Sequence, residues 1–176
     1  VLHKPISNLK MLLENIQSYN KNLYICTLLT YGCLLRPHQE IRLLKWRDFS
    51  DDLSYITLSG SQVKSKRNRV VPVPEYIRKE LTRDDVNNNI FTDTPKPYNN
   101  SYFKGIWRRF KKAFPSVEQG ITLYSFRHSG AIEIYRRTGS LSKLQKAMGH
   151  SSLKVSLIYL RGLEVEDLKE EDMPMI

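Results

Sequence analysis

Tyr124-Ser125-Phe126-Arg127-His128, Met148-Gly149-His150-Ser151-Ser152 and Leu157-Ile158-Tyr159-Leu160-Arg161 follow one another in the last third of the chain. Arg127 and His150 are 23 residues apart, and His150 and Tyr159 are 9 apart. An arginine, an imidazole and a phenol at fixed intervals are the groups that phosphodiester chemistry on DNA would use. Each residue alone has a plainer reading: a lone tyrosine is usually packing, and a lone arginine is usually solvated.

Charge narrows the choice. The chain of 176 residues carries a formal net charge of +10. That charge is uneven, because residues 163–176 hold six acids and one lysine and the remainder carries +15. A body that basic fits a polyanionic partner, nucleic acid first, although a soluble protein of high isoelectric point fits the composition too. The length suits one domain with a sizeable core. No apolar run is long enough to span a membrane, and Val1-Leu2-His3-Lys4-Pro5 does not resemble a signal peptide. Cys26 and Cys33 lie about two helical turns apart, too far to bridge within one helix. They are expected as buried free thiols, consistent with a reducing cytoplasm. Neither C-x-x-C nor a paired His/Cys spacing occurs, so no metal site is expected.

Outward from the quoted stretches, Gly139 and Gly149 are good helix C-caps and bound helices at about 124–138, 140–148 and 151–160. Residues 99–114 read as a basic amphipathic helix, with Phe103, Ile106, Trp107 and Phe110 inward and Lys104, Arg108, Arg109, Lys111 and Lys112 outward. Upstream, Ser7 is placed to cap a helix striped by Leu9, Leu12, Leu13 and Ile16. Further helices are expected over about 21–33 and 37–47, the latter with Pro37 in its first turn. Tyr55-Ile56-Thr57-Leu58 reads as a strand, Gly60-Ser61 as a turn, and Val63 and Val70-Val71-Pro72-Val73 as further strand segments around a basic run, Lys64 to Arg69. A short helix over 75–82, a polar loop from Asp84 to Asn89, and a last short helix around 164–172 complete the reading. The fold class is mainly α with a small antiparallel β-sheet.

With these pieces in place the chain resembles the catalytic domain of the tyrosine recombinases, the phage integrase family, from about residue 20 to residue 161. Leu35-Arg36-Pro37-His38-Gln39-Glu40-Ile41 with Leu44-Lys45-Trp46-Arg47-Asp48 resembles the family's first arginine, an acid and a Leu-x-Trp-x-Asp-like run. Glu40 stands four positions after Arg36 where three is usual. Lys64-Ser65-Lys66-Arg67-Asn68-Arg69-Val70-Val71-Pro72 resembles the family's β-hairpin. Tyr124-x-x-Arg127 stands where the family usually writes His-x-x-Arg, as in bacterial mobile-element recombinases of similar appearance. Met148-Gly149-His150-Ser151-Ser152 resembles its Leu-Gly-His-Ser-Ser block.

The resemblance implies the α+β catalytic-domain fold and a set of roles. Arg36, Lys64, Tyr124, Arg127, His150 and Tyr159 would be catalytic, with Tyr159 the nucleophile, Lys64 (or else Lys66) the acid for the leaving 5′ oxygen, and Arg36, Arg127 and His150 donors to the phosphate. Tyr124 can donate to phosphate but is a poor general base near neutral pH. Lys66, Arg67, Arg69, Arg108, Lys111 and Lys112 would contact DNA phosphates, and Glu40 and His128 would give structural support. The implied function is a site-specific DNA recombinase or integrase that cuts and rejoins strands through a 3′-phosphotyrosyl intermediate without metal or cofactor. The alternatives are a type IB topoisomerase-like relaxing enzyme and a catalytically impaired DNA-binding module. Double-stranded DNA is the implied partner, with a homotetramer on DNA and a monomer in its absence, and a bacterial, cytoplasmic, nucleoid-associated setting. Residues 1–162 would form the catalytic domain and residues 163–176 an acidic tail, with the family's N-terminal DNA-clamping domain apparently absent.

Overall fold

The computed structural model describes residues 4–59, 68–149, 153–160, 163 and 166–176. Helices α1 (Leu9–Tyr19) and α2 (Lys21–Gly32) open the fold. A two-stranded antiparallel sheet follows, β1 (Tyr55–Leu58) against β2 (Arg69–Pro72). Then come a single helical turn α3 (Glu75–Arg78), the basic helix α4 (Tyr102–Ala113), and α5 (Leu123–Thr138), α6 (Leu141–Met148) and α7 (Leu153–Tyr159). The mainly α class with one small antiparallel sheet is therefore observed. No described helix is long and apolar enough to cross a membrane.

Helix α2 is the centre of the domain because it is apolar on nearly every face. Leu23, Ile25, Cys26, Leu28 and Leu29 are all buried, and Thr27 and Thr30 bury their hydroxyls by returning them to the carbonyls of Tyr24 and Cys26. Asn20 opens it, its Oδ1 accepting from Leu23 N at 2.9 Å. Around α2 lies the main core, with Leu12 and Ile16 from α1, Ile56, Leu58 and Val71 from the sheet, Phe103, Ile106, Trp107 and Phe110 from α4, and Phe126 from α5. A second, smaller cluster of Leu34, Ala131, Leu144 and Met148 lies on the other side of α5, and Tyr159 packs against it.

Local chemistry sets the ends of the elements that carry the site. Ser125 Oγ accepts from Thr122 N at 2.9 Å and starts α5. Ser140 Oγ accepts from Lys143 N at 3.1 Å and starts α6. Gly139 (φ +62°) and Gly149 (φ +68°) end these helices in the left-handed region, where a side chain would be strained. Where α5 crosses α2, Gly130 lets the two backbones approach until a Cβ there would overlap the carbonyl oxygen of Tyr31.

Several expectations need correction. The segment 37–47 is not an α-helix; it is a run of turns with two 3₁₀ pieces, Ile41–Leu43 and Trp46–Asp48. Glu40 turns its carboxylate inward, and the chain then extends at Leu44 and Lys45 to bridge to Asn89, with Trp46 N donating to Asn88 O at 3.1 Å. The first helix is capped from Asn8 rather than Ser7, with no side-chain bond at that cap. Helix 75–82 shortens to Glu75–Arg78 followed by turns. Among its described residues the tail forms a 3₁₀ turn at Glu170–Asp172 rather than a longer helix, and those from 166 onward are exposed. Gly60, Ser61 and Val63 lie outside the described residues.

Candidate active site

The site is built on two carbonyls. At the end of α2 the chain turns through Leu34, a non-glycine residue at φ +56°, which aims its carbonyl into the interior. At the end of α6 the Met148 carbonyl points the same way. Arg127, on α5, is almost fully buried between them. Its Nε donates to Leu34 O at 2.8 Å and its Nη2 to Met148 O at 2.7 Å. With both anchors made, Nη1 is presented to the Tyr159 hydroxyl at 3.4 Å, and the guanidinium carbon lies 5.9 Å from the Tyr159 ring centroid. Burial first, and the charge of Arg36 second, push the Arg127 pKa down to about 10, which leaves it protonated at neutral pH.

Arg36 and Glu40 form the facing wall. Glu40, only 3% exposed, accepts from the Arg36 backbone N at 2.8 Å and approaches the Arg36 guanidinium at 3.5 Å. The extra residue in Arg36-x-x-x-Glu40 therefore closes a tight turn in which the carboxylate caps the amide of the arginine it supports. Tyr124 sits one turn before Arg127 on α5, with its hydroxyl donating to Gln39 Oε1 at 3.0 Å and its ring beside His38. Burial raises its pKa, so it remains a phenol and a donor. His128 is buried with its ring centroid 5.7 Å from that of Tyr159. Arg36, Glu40, Tyr124, Arg127, His128 and Tyr159 are thus brought into one neighbourhood.

Lys64, Lys66, Arg67 and His150 lie outside the described residues. Arg108, Lys111 and Lys112 are exposed along the outer face of α4, with the Lys111 ammonium 5.9 Å from the Trp107 ring centroid. Arg69 is a correction. Expected at a phosphate-contacting surface, it is 5% exposed and its guanidinium lies inside the domain. The reason is the period of the strand: β2 buries alternate residues, and Arg69 shares the inner face with Val71 and pairs across from Leu58. Its donors go to Glu40 Oε1 at 3.2 Å, Glu40 Oε2 at 3.4 Å, Met148 O at 3.1 Å and Leu34 O at 3.4 Å. Leu34 and Met148, whose carbonyls frame the site, carry no side-chain signal that sequence reasoning could use. For Arg69 the signal was there, two positions before an inward valine.

Among the described residues, Arg36, Arg69 and Arg127 face a single carboxylate, Glu40, so this part of the site holds a surplus of positive charge beside a phenol. That arrangement suits an anion with several oxygens next to a hydroxyl nucleophile. Among the described residues no three His, Cys, Asp or Glu side chains come together to hold a metal ion. Cys26 and Cys33 are buried free thiols, and burial pushes Cys33 up to about 12, far from thiolate chemistry.

Residues 5–164 match the phage integrase family. The tyrosine recombinase XerA of Thermococcus kodakarensis is 28% identical over 167 residues, covering 92% of this chain and 58% of that protein. The XerA of Pyrococcus furiosus is 27% identical over the same length. The chain thus spans a little over half the length of the curated relatives it matches. Among solved structures, XerA recombinase superposes with a TM-score of 0.71 at 20% identity, covering 97% of this chain and 60% of that one. The catalytic domain of bacteriophage HP1 integrase superposes with a TM-score of 0.65 at 19% identity, covering 90% of this chain and 87% of that one, and thus shares the fold. A buried arginine presented to a C-terminal tyrosine, on this fold and with this match over most of its length, identifies the chain as a member of the phage integrase family.

Proposed function

We propose that this chain is the catalytic part of a site-specific DNA recombinase that breaks and rejoins strands through a covalent 3′-phosphotyrosyl intermediate. One observation carries the proposal: Arg127 is fixed by two carbonyls so that its one remaining terminal nitrogen meets the Tyr159 hydroxyl. A scissile phosphate placed there would exchange for that contact and receive Arg127 and Arg36 on its non-bridging oxygens. Phosphodiesters break slowly because negative charge must build up on those oxygens, and fixed donors in a partly buried site stabilise it without reorganisation.

In this reading Tyr159 attacks phosphorus, the bond from phosphorus to the 5′ oxygen breaks, and the phenolic proton passes to solvent water. Lys64 gives the departing oxygen its proton, and His150 adds a further donor. The phosphotyrosyl bond conserves the energy of the broken linkage, so a 5′ hydroxyl of another strand reverses the step and seals the DNA. Tyr124 donates rather than accepts protons here, and His128 supports the ring of Tyr159. Lys66, Arg67, Arg108, Lys111 and Lys112 contact DNA backbone, and residues 163–176 form a separate acidic tail. DNA as partner is supported by the basic body of the chain and by structural neighbours captured on DNA, among them XerH bound to its difH substrate and the Tn1549 transposon integrase with circular intermediate DNA. Strand exchange would take a homotetramer on two duplexes, assembled from monomers.

The test uses a pool of nicked duplexes randomised on either side of the nick, so that cleavage releases a short strand and the adduct cannot reverse. Wild-type protein should give a covalent complex that survives denaturant. Tyr159→Phe should give none while retaining DNA binding. Adduct on the Tyr159→Phe protein would refute the assignment.

A further inference from the structure

We propose that Arg69 is a positioning residue that occupies Glu40 and thereby keeps the charge of Arg36 available to the phosphate. The inference rests on the recombinase reading for its consequence but on geometry for its cause. Among the described residues Glu40 is the carboxylate facing Arg36, Arg69 and Arg127. Arg69 takes both of its oxygens, at 3.2 and 3.4 Å, in a fork-to-fork arrangement. The Arg36 backbone N donates to the same carboxylate at 2.8 Å, but its guanidinium reaches it with one nitrogen only, at 3.5 Å, the edge of a hydrogen bond. The stronger claim on Glu40 thus belongs to the arginine that is 5% exposed and out of reach of solvent.

Removing the Arg69 guanidinium would not orphan the two framing carbonyls. Leu34 O and Met148 O each keep a shorter bond from Arg127, at 2.8 and 2.7 Å. Glu40 would keep the Arg36 amide but lose its main charged partner. A buried carboxylate without a counter-ion takes the nearest cation, and that cation is Arg36, one helical turn away in sequence and already in contact. Arg36 would then be drawn off the phosphate and its charge cancelled.

The same side chain joins pieces that are distant in sequence. Arg69 begins the strand β2 that follows the Lys64 segment, and its Nη1 donates to the carbonyl immediately before Gly149-His150. Gly149 admits it: an ideal Cβ there would overlap Nη1 and stand 2.9 Å from Arg69 Cδ. A side chain expected at a phosphate-contacting surface is instead an internal tie between β2, the Leu34–Glu40 turn and the end of α6.

Charge competition makes a prediction that plain structural support does not. With Arg69 present, Glu40→Gln should weaken the site, because Glu40 holds the Arg36 turn. With Arg69→Met, the same Glu40→Gln change should improve it, because it removes the carboxylate that has captured Arg36. Two readouts apply. One is the affinity for inorganic phosphate, followed by NMR of the arginine Nε–H signals. The other is the rate of adduct formation on the randomised nicked pool. Arg69→Met should lower the adduct rate by about 10- to 100-fold, the range for losing one hydrogen bond to a charged group. It should weaken phosphate binding as well, and Arg69→Met/Glu40→Gln should recover part of both. If Arg69→Met does not fold by circular dichroism, Arg69→Gln with and without Glu40→Gln replaces it, since glutamine keeps hydrogen-bond donors inside the domain and removes the charge. A double variant no better than the single one, or unchanged phosphate affinity in the single variant, would overturn the proposal. The phosphate arm decides this even if the wild type forms no adduct, a result that would count against the recombinase reading alone.

Discussion

Replacing Gly130 by alanine should separate the two arginine-bearing walls of the site without altering any of the side chains proposed to act there. A Cβ at Gly130 would overlap the carbonyl oxygen of Tyr31 and lie 2.6 Å from Leu34 Cδ2 and 3.1 Å from the Tyr31 carbonyl carbon. Ordinary carbon contacts are about 3.5–4.0 Å, so α5 must move from α2 by roughly 1 Å. Its first obstacle is backbone, which cannot rotate aside. Overpacking of this kind costs about 1–3 kcal/mol, and the better helix propensity of alanine returns about 1 kcal/mol. The net loss should be about 0–2 kcal/mol by urea unfolding. The functional loss should be larger. Gly130 is one turn after Arg127 on α5, and the residue it strikes, Leu34, is the one whose carbonyl anchors Arg127 Nε. A displacement of about 1 Å between reacting groups can cost about 10²-fold in rate. Gly139→Ala is the control. Unlike Gly130, it sits in the left-handed region, where alanine is strained, but nothing lies within 4 Å of its Cβ. It should lose roughly 1 kcal/mol and keep its adduct rate. Gly130→Ala protein of wild-type stability and rate, or equal slowing of both variants, would refute the reasoning.

Lys64→Ala should be partly rescued by a substrate with a 5′-bridging thiolate, which leaves without a proton, whereas Arg127→Ala should not; equal rescue would remove Lys64 as the acid. Lys111→Ala with Lys112→Ala should flatten the salt dependence of DNA binding without altering which sequences are preferred, as read by titrations at several salt concentrations. Adduct formation should be unaffected by EDTA, because the proposed cations are side chains; cleavage that stopped and returned with Mg²⁺ would point to a different chemistry. The His38 ring, with its buried Nδ1 unpartnered among the described residues, faces Arg42, Lys104 and Tyr124, and burial followed by those two cations holds its pKa below 6.5. The folded state then binds fewer protons than the unfolded state, so stability should fall as pH drops below about 6.5. His38→Gln should flatten that limb of the urea-unfolding profile, and an unchanged limb would refute the role.

The elements readable from sequence were those whose signals are local. Helix α4 shows its four inward aromatics and aliphatics against a run of lysines and arginines, and α5 and α6 end where Gly139 and Gly149 stand. Tyr55 to Leu58 alternates and forms β1 with those bounds. The segment 37–47 misled because its helical periodicity is local, while its conformation is set from outside. Glu40 is drawn in by an arginine from a strand 29 residues later, and Lys45 is drawn out to Asn89. Arg69 misled through its residue type: charge suggested a surface, although its register with Val71 placed it inside. The frame of the site was beyond sequence reading, because Leu34 and Met148 act through backbone carbonyls and their neighbours are brought together only by the crossing of α2, α5 and α6.

The central claim, that the Tyr159 oxygen becomes bonded to a 3′ phosphate, is tested most directly by mass spectrometry of the trapped adduct. The protein is reacted with the nicked duplex pool, digested with protease and nuclease, and the modified peptide sequenced. The account predicts one nucleotide-bearing tyrosine, Tyr159, with the released strand carrying a free 5′ hydroxyl that polynucleotide kinase labels without prior phosphatase treatment. A nucleotide on Tyr124 or Tyr135, or a linkage through a 5′ phosphate, would contradict it.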